Sequence, residues 1–158
     1  MPNWCEGTLR LKGKFANLKR FLTQGLQAVD FIGNQVNNGY RIAADEERYL
    51  WITDIKRNLY IKESRRHFVL GNGDIELYTQ NMNYNITLAL PIKAAWHLDS
   101  EIFEKISKAY NLDIRIHGYE RGAEFEQIIE VIKGRIKRNE VIEHKDYLWD
   151  CECPLIGG

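Results

Sequence analysis

Polar and apolar residues alternate along the opening stretch MPNWCEGTLRLKG: Cys5, Gly7, Leu9 and Leu11 fall on one side, Glu6, Thr8, Arg10 and Lys12 on the other. A period of two with one apolar face predicts a half-buried strand over 4–12, ended by Gly13. The period then changes. Phe15, Leu18, Leu22 and Leu26 recur at spacings of three and four, which predicts a helix over 15–26. From Val29 to about Tyr78 the pattern is of short strands and turns, with Asn-Asn-Gly at 37–39 and Gly-Asn-Gly-Asp at 71–74 as turn signals. A β-meander is expected there. Tyr84, Ile86, Leu88 and Leu90 again share one face, and Pro91 is expected to close that strand.

The second helix has the fullest set of signals. Asp99 is a good N-cap, Glu101 sits in the first turn, and Leu98 and Phe103 stand at hydrophobic-staple positions. Ile102, Phe103, Ile106 and Ala109 give its apolar stripe, and Asn111 can end it. Leu112, Ile114 and Ile116 alternate with Asp113, Arg115 and His117 as one more strand. Residues 123–137 read as a further, bulged strand, since Phe125, Ile129 and Val131 keep phase while Gln127 does not. A turn at Arg138-Asn139-Glu140 and a last strand over 141–149 follow. The expected class is α+β: a ferredoxin-like split βαβ core, two helices on one face of an antiparallel sheet, and an inserted meander over 27–80. One domain over 1–150 with a loose tail over 151–158 accounts for the whole chain.

Two stretches carry a resemblance. The start Met-x-Asn-Trp-Cys resembles the N-terminal signature of a phage and plasmid protein family described as having a ferredoxin-like domain and no known function. The block from Ile86 to Phe125 is similar to that family's second block, with Ala95-Trp96 and Tyr119-Glu120 as the matching pairs. The chain departs from the family at His97-Leu98-Asp99 and throughout the middle segment. The resemblance implies a mobile-element origin and brings no catalytic residues. At the start it implies a structural role for Trp4-Cys5: Cys5 as a small core residue, and Trp4 on the polar face, covered by inserted strands or by Trp96.

Composition narrows the functional classes. The 158 residues are 44% hydrophobic and 28% charged, and 22 basic residues balance 22 acidic ones, so net charge points to neither nucleic acid nor membrane. No apolar run approaches the length of a membrane span, and no secretory signal pattern opens the chain, so an intracellular protein is expected, which with the mobile-element resemblance implies the cytoplasm of a host cell. His-Glu-x-x-His, Gly-x-Ser-x-Gly, phosphate-loop and dinucleotide motifs are all absent, so no enzyme, catalytic residue or cofactor is expected. A zinc site from Cys5, Cys151, Cys153 and His144 is chemically possible, but Cys-x-Cys in a loose tail would need distant ligands, so no metal is expected. His117 with Glu120 as an acid-base pair, and Glu124 with Glu126 as a cation site, are weighed against solvated surface pairs.

Local charge is more informative. Lys56, Arg57, Lys62, Arg65 and Arg66 crowd the middle segment, interleaved with Tyr49, Trp51, Tyr60 and Phe68. The partner-binding candidates are therefore Tyr49, Trp51, Lys56, Arg57, Tyr60, Lys62, Arg65 and Arg66. With the mobile-element resemblance, they suggest a non-enzymatic protein that binds a host protein, inhibiting a defence such as a CRISPR nuclease. The alternative is a small nucleic-acid-binding accessory protein using the basic-aromatic strands.

Overall fold

A computed structural model describes residues 3–30, 32, 34–37, 39–45, 47–53, 55, 58–71 and 73–158. In chain order its elements are β1 (Trp4–Lys14), α1 (Phe15–Arg20) running into a π-helical turn (Phe21–Gly25), β2 (Leu26–Ala28), β3 (Arg41–Ala44), β4 (Tyr49–Thr53), β5 (Leu59–Ile61), β6 (His67–Val69), β7 (Ile75–Tyr78), β8 (Asn85–Ala95), α2 (Ser100–Tyr110), β9 (Asp113–Glu120), β10 (Phe125–Ile132), β11 (Arg135–Glu143) and α3 (Tyr147–Asp150). An eight-stranded antiparallel sheet has the order β11-β10-β9-β1-β8-β6-β5-β2, and a three-stranded sheet has the order β3-β4-β7.

The expected two-helix, ferredoxin-like α+β fold is not what the chain forms. Strand makes up 48% of it and helix 18%, in two sheets. Two features produce the difference. The inserted segment does not form one meander: β2, β5 and β6 extend the large sheet, while β3, β4 and β7 make a sheet of their own. And residues 123–143 are a hairpin rather than one bulged strand. Its turn is Lys133-Gly134, both with positive φ (50° and 69°), the backbone that a two-residue type I′ turn requires. The turn expected at 138–140 lies inside β11, and 147–150 is helical. The bulge is real but falls between Glu130 and Val131.

One face of the large sheet is covered. Leu9, Leu11, Ile114 and Ile116 from it pack with Phe15 and Leu18 of α1, Phe103 and Ile106 of α2, and Leu50, Ile52, Ile75 and Leu77 of the small sheet in one core. Asp99 caps α2, its side chain accepting the Glu101 N–H at 3.0 Å, and Asn111 ends it in the left-handed conformation. Ala109, expected in the buried stripe, is exposed. Ser107 is buried instead, its hydroxyl donating to the Leu112 carbonyl at 2.6 Å. Pro91 does not end its strand. It pairs with Thr8, and its carbonyl accepts the Leu70 N–H at 3.0 Å just past the last β6 rung, where no ladder N–H is required of it.

The opposite face of the large sheet is open over most of its width. The register places Gln27, Tyr60, Phe68, Lys93, Glu6, Tyr119, Glu126 and Ile142 in one row across it, from β2 to β11. At one corner this face is covered by residues 144–158. The segment 151–158, expected to be loose, is docked: Cys151 is buried, and the Gly158 N–H donates to the Trp4 carbonyl at 2.9 Å.

Candidate functional site

The open face carries two groups of side chains, one on each side of β1. The first is built on Trp4. Its ring, half-buried, meets Phe68 edge-on at 6.0 Å between ring centres, and Phe68 meets Tyr60 at 5.7 Å. Lys93 Nζ lies 4.6 Å above the Trp4 ring and the Arg66 guanidinium 5.4 Å from it. The cover that Trp4 needs is thus supplied by an inserted strand, β6, and by two cations. Along β1 the same face continues with Arg10 and Lys12, and on β9 with Arg115, which is paired with Glu130 at 3.0 Å. Among the described residues no carboxylate pairs with Arg10, Lys12, Lys93 or Arg66.

The structure divides the partner-binding set expected from sequence. Tyr60 lies on the open face, and Lys62, Arg65 and Arg66 are exposed in the β5–β6 turn beside it. Tyr60 is anchored by its hydroxyl, which donates to the Ser64 carbonyl. Tyr49 and Trp51 belong to the other sheet. Trp51 is 39% exposed and donates from Nε1 to Asp74 at 3.1 Å; Leu50 and Ile52 are the buried residues of that strand. Lys56 and Arg57 lie outside the described residues. Trp4, Phe68 and Lys93 were not in the expected set, because only the pairing of β1 with β8 and of β8 with β6 brings them together.

The second group lies under residues 144–158. Glu126, 7% exposed, accepts from two imidazoles: His117 Nε2 at 2.5 Å on one carboxylate oxygen and His144 Nε2 at 2.8 Å on the other. His117 Nδ1 lies 3.3 Å from the Tyr119 hydroxyl, and the two rings stack at 4.5 Å. Tyr147 and Cys151 pack onto Tyr119, with Cys153 beside them. Burial above all, then a neighbouring cysteine (Cys153 for Tyr119, Cys151 for Tyr147), raises both phenols above their ordinary range. The Tyr147 hydroxyl is buried and has no hydrogen-bond partner among the described residues. Glu126, His144 and Cys151 each offer a ligand atom within 4.8 Å of the other two.

Here too the sequence named some of the right residues in the wrong combinations. His117 pairs with Glu126, not with Glu120, whose carboxylate accepts the N–H groups of Gly122 (2.8 Å) and Ala123 (2.5 Å) in the β9–β10 turn. Glu124 sits in that turn and does not share a strand face with Glu126. Of the four residues weighed as zinc ligands, Cys5 lies on the covered face of the sheet, in the main core; burial first, then Glu120 and Glu6, push its thiol up to about 12. All three cysteines are free.

Comparison with protein-family models, curated proteins and solved structures finds no match, so nothing there identifies a phage or plasmid family. Asn3 and Trp96 meet at one corner, where the Asn3 carbonyl accepts the Trp96 N–H at 2.9 Å. No helix among the described residues is long and apolar enough to cross a membrane.

Proposed function

We propose that the protein is a non-enzymatic accessory protein that holds single-stranded nucleic acid on the open face of its eight-stranded sheet. The observation that carries this reading is the Trp4 cluster: three half-buried aromatic rings, on β1, β6 and β5, with Lys93 and Arg66 over the Trp4 ring and, among the described residues, no carboxylate paired with either cation. Unpaired bases stack on aromatic side chains held on a sheet, while adjacent Lys and Arg take the phosphates. Lys62 and Arg65 in the β5–β6 turn, and Arg10 and Lys12 further along β1, extend the basic surface in both directions for a strand longer than the aromatic cluster. A mobile-element origin and action in the host cytoplasm belong to the same proposal and rest on the sequence resemblance. The reading as an inhibitor of a host CRISPR nuclease has only that resemblance behind it.

The test is fluorescence anisotropy of a labelled single-stranded oligonucleotide of mixed sequence, titrated at several salt concentrations. Binding is expected, with log affinity falling linearly as log salt rises. Arg66→Glu with Lys93→Glu is expected to weaken binding at least tenfold, about 1.4 kcal/mol, and to flatten the salt slope while the protein stays folded. No binding at low salt, or a double variant that binds as the parent does, refutes the reading.

A further inference from the structure

We propose that Glu126, His144 and Cys151 form a binding site for a divalent transition-metal ion of the zinc type, closed by residues 144–158. Imidazole, carboxylate and thiolate are all zinc ligands, and these three side chains place a nitrogen, an oxygen and a sulfur within 4.8 Å of one another. They are not a chance surface group: Glu126 is 7% and Cys151 5% exposed, and the His144 side chain is 12% exposed. Three protein ligands leave a fourth tetrahedral position for Cys153 or water.

Two neighbours favour an ion at this site. The Tyr147 hydroxyl, in a side chain 3% exposed and packed with Cys151, meets no hydrogen-bond partner in good geometry among the described residues. A buried hydroxyl left unpaired is costly, and a metal-bound thiolate at Cys151 is a far better acceptor than a thiol. His117 donates to the Glu126 oxygen that His144 does not use, and its other nitrogen faces the Tyr119 hydroxyl. That chain would hold the carboxylate with one oxygen turned to the ion, the usual supporting arrangement around a ligand.

The ion would take the place of the proton now shared between His144 Nε2 and Glu126. Those atoms are 2.8 Å apart; two tetrahedral arms of about 2.0 Å need about 3.3 Å between their ends, so a shift of about half an ångström suffices for this pair, and the Cys151 sulfur, within 4.8 Å of both, closes by up to about an ångström more. The proton balance is simple. The His144 proton moves from Nε2 to Nδ1, Glu126 is already a carboxylate, and the Cys151 thiol releases its proton to solvent, so each ion bound frees one proton. The same three residues do not suit nucleophilic catalysis, since a buried Cys151 offers no path to a substrate.

The test is cobalt(II) titration of the reduced chain after chelator treatment. Tetrahedral cobalt ligated by sulfur is expected to give an intense thiolate-to-metal charge-transfer band that saturates at one ion per chain and is bleached by zinc. Cys151→Ser is expected to abolish the band and Glu126→Gln to weaken binding by about tenfold or more, whereas Cys5→Ser leaves both intact. Because Cys151→Ser could fail to fold, the parent protein supplies a second readout: zinc should raise its thermal midpoint, and chelator should reverse the rise. Absence of the band with excess cobalt, a band undiminished in folded Cys151→Ser, or a midpoint indifferent to zinc overturns the proposal.

Discussion

His67 holds the start of α2 from beneath. Its Nε2 accepts the Asp99 N–H at 3.0 Å, its Nδ1 donates to the Arg65 carbonyl at 2.9 Å, and its ring meets Phe103 edge-on. Those bonds fix the neutral tautomer, and burial, as the leading cause, lowers its pKa below the ordinary 6.5. A base whose pKa is lower folded than unfolded leaves the unfolded chain binding more protons between the two values. His67 therefore contributes stability that is present above pH 6.5 and is lost as pH falls from there towards its folded pKa. Thermal melts at pH 7 and pH 5 should show a larger drop for the parent than for His67→Gln, which keeps an acceptor for the Asp99 N–H but does not titrate. Equal drops would remove His67 from the acid response. Cys5 is subject to the same physics with a different readout. Its thiol is pushed up to about 12, so it holds almost no thiolate near neutrality. Alkylation at pH 8 should mark the half-buried Cys153 and spare Cys5 until the protein is unfolded; labelling of both at similar rates would contradict the burial assigned to Cys5.

Elements were legible in the sequence where one apolar face set a period locally. β1 and α2 are of this kind, and Asp99 and Asn111 cap α2 as their chemistry demands. What could not be read was pairing between distant strands. The insert has apolar residues on both faces, so nothing in its pattern says that β5 joins the large sheet while β4 joins the small one. The same gap split the expected binding set between two sheets and hid Trp4 and Lys93 from it. The β10–β11 hairpin was missed for a local reason: Lys133-Gly134 is a turn only because both residues take positive φ, and Lys at the first position conceals it. That turn is testable. A Cβ at Gly134 would lie 2.6 Å from Lys108 Cγ, and the position has φ of +69°. Gly134→Ala should lower stability by about 1–2 kcal/mol, the cost of a left-handed residue with a side chain, seen as a lower urea midpoint at unchanged slope. A midpoint equal to the parent's would mean the turn adopts another backbone.

At the scale of the molecule, the open face is organised by what covers it and what does not. Residues 144–158 lie over Tyr119, His117 and Glu126 and leave the Trp4 ring uncovered, yet they are tied to the Trp4 backbone through the Gly158 N–H. The two groups on this face therefore share one strand, β1, at one end. The clasp itself depends on Gly157. Its φ is +82°, and a Cβ there would lie 2.3 Å from the Tyr119 carbonyl oxygen and 2.7 Å from that of Trp4, both backbone atoms with no freedom to withdraw. A branched side chain is doubly excluded, by conformation and by space. Gly157→Val should detach the last residues while the main core, which contains none of them, keeps its packing. The expected signature is a Cys151 thiol that alkylates many times faster than in the parent, with a thermal midpoint only slightly lowered. If Cys151 stays as protected in Gly157→Val as in the parent, the segment is held by Tyr147 and His144 alone and the clasp at Gly157 is incidental. If the midpoint collapses instead, the segment is part of the core's own stability rather than a cover laid over it.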